Sequence, residues 1–392
     1  MLARGESGRK PDLLRLAAPV SGRVDLLVIA GEHSGDEHAA RVVRELRAQD
    51  SGLKIAALGG PQLAAAGAQL LHDLTASSVV GLVEVLKNLR FFRALKVEIL
   101  RWIEEFRPRA VLFVDYPGLN LRLAAALRER GLSVKGGGRI KLLFYISPQI
   151  WAWKAKRRFT MARDLDALAV IFPFEVKCYA DTTLPVEFVG HPFLAPDHAS
   201  PVRYDPAAPV LLLPGSRRQA VGRIFPVLLA GFAEFARTGA DRKATVLYPS
   251  DDIFDVLRSF NPSSHIQLQP TGLPVAASAV LTSSGTMSMH CALAGIPGAI
   301  AYRANFLTYL LGRWLVKIPY LGIANLLLDE PMYPEYIQAA ATPKALAGEL
   351  NWSLHDPVRR ETTARQAEKL RGLLAQPADG TAADWLRRQL AH

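Results

Sequence analysis

Asp115 closes an apolar run, Ala110–Val114, and is followed at once by Tyr116-Pro117-Gly118, a turn that stops a strand and leaves the carboxylate at its carboxyl end. A carboxylate so placed either caps the turn or, desolvated by apolar neighbours that raise its pKa, serves as a general base. A second polar turn, Gly31-Glu32-His33-Ser34-Gly35-Asp36, lies between the apolar run Val24–Ala30 and a helix-like stretch, Glu37–Ala48. Asp36 reads as a plain N-cap, or else the backbone N–H groups of this glycine-containing turn hold a polar ligand that the glycines let approach closely. The turn is not a G-x-G-x-x-G, so a dinucleotide fingerprint is absent. Two more turns, Pro214-Gly215-Ser216-Arg217-Arg218 and Ser283-Ser284-Gly285-Thr286, each follow a short apolar run and open a helix. Arginine offers phosphate a fixed fork of donors, and hydroxyls with exposed N–H groups at a helix entrance favour anions as well. Each turn alone reads equally as capping; two in the same half of the chain point to a diphosphate. Neither matches G-x-x-x-x-G-K-[ST], which disfavours a P-loop ATPase.

The elements that must position these turns are short apolar runs alternating with helical spacing. Val24–Ala30, Ile55–Leu58, Ala110–Val114, Lys141–Ile146, Ala167–Phe172 and Val186–Val189 read as strands, with Leu121–Arg130 among the helices between them. Runs this short and apolar are buried on both faces, which predicts a parallel sheet covered by helices on each side. A segment with five prolines, Pro192–Pro209, interrupts the pattern before it resumes with strands at Val210–Leu213, Ala244–Leu247, Ile266–Leu268, Ala279–Leu281 and Gly298–Ala301 and helices at Val221–Arg237 and Met287–Ala294. The expected architecture is α/β, two doubly wound Rossmann-like domains facing a cleft. Its parts are a loose extension over residues 1–22, a first domain over 23–192, a linker over 193–209, a second domain over 210–345, and C-terminal helices over 346–392 that pack back on the first domain or on a partner subunit. In such sheets ligands sit beyond the carboxyl ends of the strands, where all four turns lie.

A chain of 392 residues, half of them hydrophobic and a fifth charged, has the composition of a globular protein with a large core, not of a disordered one. Its formal net charge of +11 favours an anionic partner. Cys178 and Cys291 have neither disulfide-framework nor zinc spacing, and no metal is expected. No signal peptide and no conventional spanning helix is expected either. The segment Val79–Arg101 sets Leu82, Val85, Leu86, Leu89 and Phe92 at helical spacing, with Phe91 and several bases beside them. Such a stripe is either core or an interfacial helix in which Leu89, Phe91 and Phe92 enter lipid while the bases meet anionic head groups. The basic run Lys154–Arg158, beside Trp151 and Trp153, reads as a solvated turn or a phosphate site; no nucleic-acid motif accompanies it, so no nucleic-acid partner is expected.

Taken together the motifs resemble the lipid-A-disaccharide synthase family, inverting glycosyltransferases of the two-domain GT-B fold. The resemblance runs from about Val24 to Gln338 and is carried by AGEHSGD (Ala30–Asp36), LGGPQLAAAG (Leu58–Gly67), VVGLVEVL (Val79–Leu86), VDYPGLNLRLA (Val114–Ala124), YISPQIWAW (Tyr145–Trp153), FPFE (Phe172–Glu175), FVGHP (Phe188–Pro192), LLPGSR (Leu212–Arg217) and SSGT (Ser283–Thr286). It implies that a UDP-activated 2,3-diacylglucosamine is joined to 2,3-diacylglucosamine 1-phosphate, giving lipid A disaccharide 1-phosphate and UDP without a cofactor. It further implies Asp115 as the base and Glu32, Ser34, Gly35 and Asp36 on the acceptor side. Gly215, Ser216, Arg217, Ser284, Gly285 and Thr286 fall at the UDP phosphates, with Asn325, Glu335 and Gln338 near the nucleotide. Two positions depart from the family pattern: His290 stands where a glutamate meets the ribose, and Gly118 replaces the second aspartate of D-x-P-D-F-N. These departures keep two alternatives in view, a related UDP-sugar transferase or epimerase and a degenerate paralogue that binds lipid or nucleotide without turnover. The resemblance also implies a cytoplasmic protein, peripheral at the inner face of the inner membrane, with relatives that often form a homodimer through the C-terminal part.

Overall fold

The structure, a computed structural model, describes residues 15–75, 82–195, 198–237, 239, 242–304 and 319–391, with the side chains of 82–90 left aside. The chain divides into two units, unit 1 comprising Met1–Val189 with Ala378–His392 and unit 2 comprising Gly190–Pro377.

Unit 1 alternates strand and helix as β1 (Leu26–Ala30), α1 (His33–Gln49), β2 (Ile55–Gly59), α2 (Pro61–Ala65), β3 (Gln69–Asp73), α3 (Leu82–Phe106), β4 (Ala110–Val114), α4 (Pro117–Glu129), β5 (Lys141–Tyr145), α5 (Arg157–Asp164), β6 (Ala167–Val170) and β7 (Val186–Phe188). The seven strands form one parallel sheet in the order β3-β2-β1-β4-β5-β6-β7. Every residue of β1, β2 and β4 is buried, as helices on both faces require, and this produces their unbroken apolar sequences. Edge strand β3, with Gln69, His72 and Asp73, is only half-buried, so no apolar run announces it. The second half of α3 packs Leu95, Ile99, Trp102 and Ile103 into the core. Part of the expected loose extension is pinned there: the Leu16 N–H donates to Glu98 Oε1 (2.7 Å), the Trp102 indole to the Ala17 carbonyl (2.8 Å) and the Gln69 amide to the Ala18 carbonyl (2.9 Å). Residues 1–14 lie outside the described residues.

Unit 2 runs β8 (Val202–Tyr204), β9 (Val210–Leu213), α6 (Arg218–Ala236), β10 (Ala244–Tyr248), α7 (Asp251–Arg258), β11 (Ile266–Pro270), β12 (Val275–Ala277), β13 (Val280–Thr282), α8 (Thr286–Leu293), β14 (Gly298–Tyr302), α9 (Ile323–Leu328), β15 (Glu335–Ile337), α10 (Pro343–His355) and α11 (Pro357–Leu374). Six strands form a parallel sheet in the order β11-β10-β9-β13-β14-β15, and β8 pairs with β12 in a small second sheet. The segment 193–209 is therefore part of unit 2 and not a free linker, and the boundary falls at Val189/Gly190. Helix α6 is long and apolar enough to cross a membrane, yet Val221, Ile224, Phe225, Leu228 and Phe232 fill the core of unit 2. It meets α10 so closely that a Cβ on Gly231 would lie 2.6 Å from Leu346 Cβ. Of the C-terminal stretch 346–392, α10 and α11 belong to unit 2 and only α12 (Ala382–Ala391) returns to unit 1. There Gln49 donates to Asp384 (3.1 Å), Lys141 to the Gln389 carbonyl (2.8 Å) and Arg388 to Glu187 (2.7 Å).

Beneath α11, Arg359 is 4% exposed and donates to the carbonyls of Met332 (3.1 Å) and Gly298 (2.8 Å) and to Glu349 (3.1 Å). Removing one partner of a buried pair strands the other charge. Arg359→Met is expected to lower stability by about 3–5 kcal/mol in urea unfolding, and adding Glu349→Met to recover most of the loss. An unshifted midpoint in the single variant would contradict the pairing.

Candidate active site

In unit 1 the strand order reverses between β1 and β4, so the chains leaving these neighbours diverge and open a crevice at their carboxyl ends. The loop after β1 touches the turn after β4 there: a Cβ on Gly31 would sit 2.2 Å from the Tyr116 ring, so only glycine fits. Helix α1 begins at His33, earlier than its sequence suggests, which makes Glu32 the N-cap residue and puts Ser34, Gly35 and Asp36 in the first turn. Asp36 is not the cap of its own helix. Its carboxylate, 1% exposed, accepts the N–H groups of Gly60 (2.7 Å), Gln62 (2.9 Å) and Leu63 (3.2 Å) and so caps α2. Glu32 and Ser34 are half-buried at this edge.

Asp115 and Tyr116 both adopt left-handed backbone, at φ 46° and 47°, and Ile146 at the end of the adjacent β5 does so at 68°. Each such non-glycine residue costs of order 1–3 kcal/mol, and such strain gathers where function constrains the chain. Asp115 is held by its own N–H, which donates to the Tyr145 carbonyl (2.9 Å), and by its carbonyl, which accepts from Asn120 Nδ2 (2.7 Å). Fully buried Asn120 is a positioning residue that sequence reasoning passed over. The available signal is an amide interrupting the apolar stripe Leu119, Leu123, Ala124, Leu127 of α4. Glu175, also passed over, is 1% exposed; it accepts from the Phe172 N–H (3.2 Å) and the Trp151 indole (3.3 Å), tying the turn after β6 to the loop after β5. Burial pushes its carboxyl up to about 8.

In unit 2 the reversal falls between β9 and β13. The two turns meet there: the Ser283 N–H donates to the Leu213 carbonyl (2.8 Å), and Gly215, at φ 109°, has Ser283 Oγ 3.4 Å from its would-be Cβ. Arg217 is the N-cap residue of α6 and Gly285 that of α8, so two helix N-termini start from adjacent strand ends. Ser216, Arg217, Gly285 and Thr286 are exposed and Ser284 half-buried, leaving the turns open to an anion.

The other nucleotide-side residues are placed differently. His290 is 7% exposed and stacks on Phe193 (ring centroids 3.8 Å apart) and beside His198 (5.2 Å). Glu335 accepts from the Leu321 N–H (2.8 Å), the Gly322 N–H (2.8 Å) and Asn325 Nδ2 (2.9 Å), while Asn325 exchanges hydrogen bonds with the Tyr333 backbone. Gln338 likewise exchanges them with the Ala304 backbone (3.0 and 3.2 Å). All three fasten β15 and α9 to the sheet edge. Phe91 and Phe92, expected to enter lipid, are half-buried against the unit 1 core; the Leu89 side chain lies outside the described residues, as do those of Leu82, Val85 and Leu86. Among the described residues no group of three or more His, Cys, Asp or Glu is placed to hold a metal.

Two parallel, doubly wound α/β units, each with its polar turns at a strand-order reversal, place the chain in the GT-B fold class. The calicheamicin glycosyltransferase CalG4 shares this fold, with a TM-score of 0.55 and 16% identity over 94% of this chain and 99% of that one. So does UDP-GlcNAc 2-epimerase from Neisseria meningitidis bound to UDP-GlcNAc, with a TM-score of 0.54 and 11% identity over 90% and 99%. Within that class the chain belongs to the lipid-A-disaccharide synthase family. Residues 26–384 match the family described as Lipid-A-disaccharide synthetase. The chain is 33% identical over 371 residues to lipid-A-disaccharide synthase of Nitrosococcus oceani, covering 91% of this chain and 94% of the relative. It is 36% identical over 374 residues to that of Geobacter metallireducens, covering 88% and 92%.

Because Glu175 binds its proton more tightly folded than unfolded, the stability it lends is present at low pH and falls as pH rises from about 4.5 to about 8. The slope reaches about 1.4 kcal/mol per pH unit. Glu175→Gln is expected to remove that slope in denaturant unfolding followed across this window; the same slope in both proteins would contradict the assignment.

Proposed function

We propose that this lipid-A-disaccharide synthase transfers the 2,3-diacylglucosaminyl group of a UDP-activated donor to 2,3-diacylglucosamine 1-phosphate by one direct displacement, with unit 1 supplying the base and unit 2 holding UDP. The observation that carries the reading is Asp115, fixed on a strained turn at the strand-order reversal of unit 1. Its carboxylate takes the proton of the acceptor hydroxyl as that oxygen attacks the anomeric carbon, and the bond to UDP breaks on the opposite side, which inverts the centre. The charge growing on UDP is met by the Arg217 guanidinium and by N–H groups of the Gly215–Arg217 and Ser284–Thr286 turns, donors already in place before reaction. With His290 turned into the Phe193 stack, nucleotide affinity leans on these phosphate contacts more than on the ribose.

The same reading seats the protein peripherally at the cytoplasmic face of the inner membrane. Both substrates carry acyl chains, and a net charge of +11 favours an anionic surface.

Asp115→Asn keeps size and removes the proton acceptor, so kcat is expected to fall by about 10²–10⁴ with UDP affinity unchanged. A near-normal kcat would sink the assignment. Arg217→Ala is expected to weaken UDP far more than uridine in calorimetry, since only the former loses charge-assisted bonds. Equal weakening of both would place the diphosphate elsewhere.

A further inference from the structure

The basic run beside Trp151 and Trp153 has no part in the chemistry above, yet its construction is specific. It follows β5, the neighbour of the strand that leads into Asp115, so it leaves the same edge of the unit 1 sheet. Its root is rigid: Ile150 and Ala152 are buried, and Trp151 is held by Glu175 and packs edge-on against Phe174 at 5.5 Å. On that root Trp153 stands 39% exposed and Phe159, within the first turn of α5, 48% exposed. Cations flank both rings: Lys154 Nζ lies 4.4 Å and the Arg157 guanidinium 5.6 Å from the Trp153 centroid, and the Arg158 guanidinium 4.3 Å from that of Phe159. Arg158 is paired with Asp181 at 2.6 Å, whereas among the described residues Lys154, Lys156 and Arg157 have no ion pair. Three uncompensated charges beside exposed aromatic rings on a fixed base match a bilayer interface, where rings settle among head groups and bases meet lipid phosphates.

We propose that the Trp153–Phe159 turn is a docking surface for an anionic lipid bilayer, holding the carboxyl edge of unit 1 against the membrane that carries the acylated substrates. The proposal rests on the peripheral seating argued above and adds to it a surface separate from α3.

The test is co-sedimentation of the full-length protein with phosphatidylcholine vesicles made with and without phosphatidylglycerol. Removing one base near a charged surface lowers partitioning about five-fold, so the triple change Lys154→Gln, Lys156→Gln, Arg157→Gln is expected to cost about a hundred-fold on phosphatidylglycerol vesicles and little on phosphatidylcholine alone. Trp153→Ser with Phe159→Ser is expected to weaken binding to both. Thermal melts and turnover of detergent-dispersed substrate report folding, and should the ring variant melt early the charge variant decides. If the native protein binds vesicles and both variants bind equally well, this surface is not the dock and the proposal fails while peripheral seating stands, with Leu89→Ser, Phe91→Ser, Phe92→Ser then testing α3. Vesicle binding intact with loss of single-stranded RNA binding in the charge variant overturns it in favour of a nucleic acid. Absence of native binding to either vesicle overturns both the dock and the seating.

Discussion

The pairing of β1 with β4, and of β9 with β13, is the constraint on which the rest depends. Ala30 lies in register with Val114 and Leu213 with Thr282, so each pair of neighbouring parallel strands ends at the same level. From there the chain turns in opposite directions, and no single helix can cover both ends. The polar turns occupy the space this leaves. Gly31 admits the Tyr116 ring, and the Ser283 N–H donates to the Leu213 carbonyl, so the two turns of each unit touch directly. Strain at Asp115, Tyr116 and Ile146 is tolerated because β4 and β5 are buried and paired along their length.

Sequence made the central strands legible because burial on both faces leaves runs such as Val210–Leu213 with no polar residue at all. It hid β3, β8 and β15, which are short or half-buried and carry polar side chains, and β12, which is only three residues long. The four turns were legible too, since each sets glycine among polar residues between an apolar run and a helix start. What a polar residue bonds to was not. The resemblance implies ligand-side roles for Asp36, Asn325, Glu335 and Gln338, and each engages backbone N–H or C=O groups of its own unit; a carboxylate that caps a distant helix has the same sequence signature as one awaiting a sugar. Asn120 and Glu175 lay inside quoted motifs, VDYPGLNLRLA and FPFE, but sequence does not show which backbone groups a single buried polar side chain will bond.

At the position of His290 the resemblance implies a glutamate that meets the ribose. A glutamate can accept from both ribose hydroxyls, whereas a neutral imidazole has one acceptor nitrogen and one donor. The ring instead lies flat on Phe193, in the segment that follows the crossing at Val189–Gly190, with His191 edge-on to the same phenyl ring. This side chain thus fastens the start of unit 2 to α8. In the proposed function UDP is held by the paired turns at the reversal, where two helix N-termini start beside Arg217.

The most direct measurement is a crystal structure of the protein with UDP bound. The diphosphate is expected to lie against the N–H groups of Gly215–Arg217 and Ser284–Thr286, in contact with the Arg217 guanidinium, while His290 stays stacked on Phe193. A diphosphate seated away from the β9–β13 reversal, with those turns unoccupied, would contradict the assignment of unit 2 as the holder of UDP.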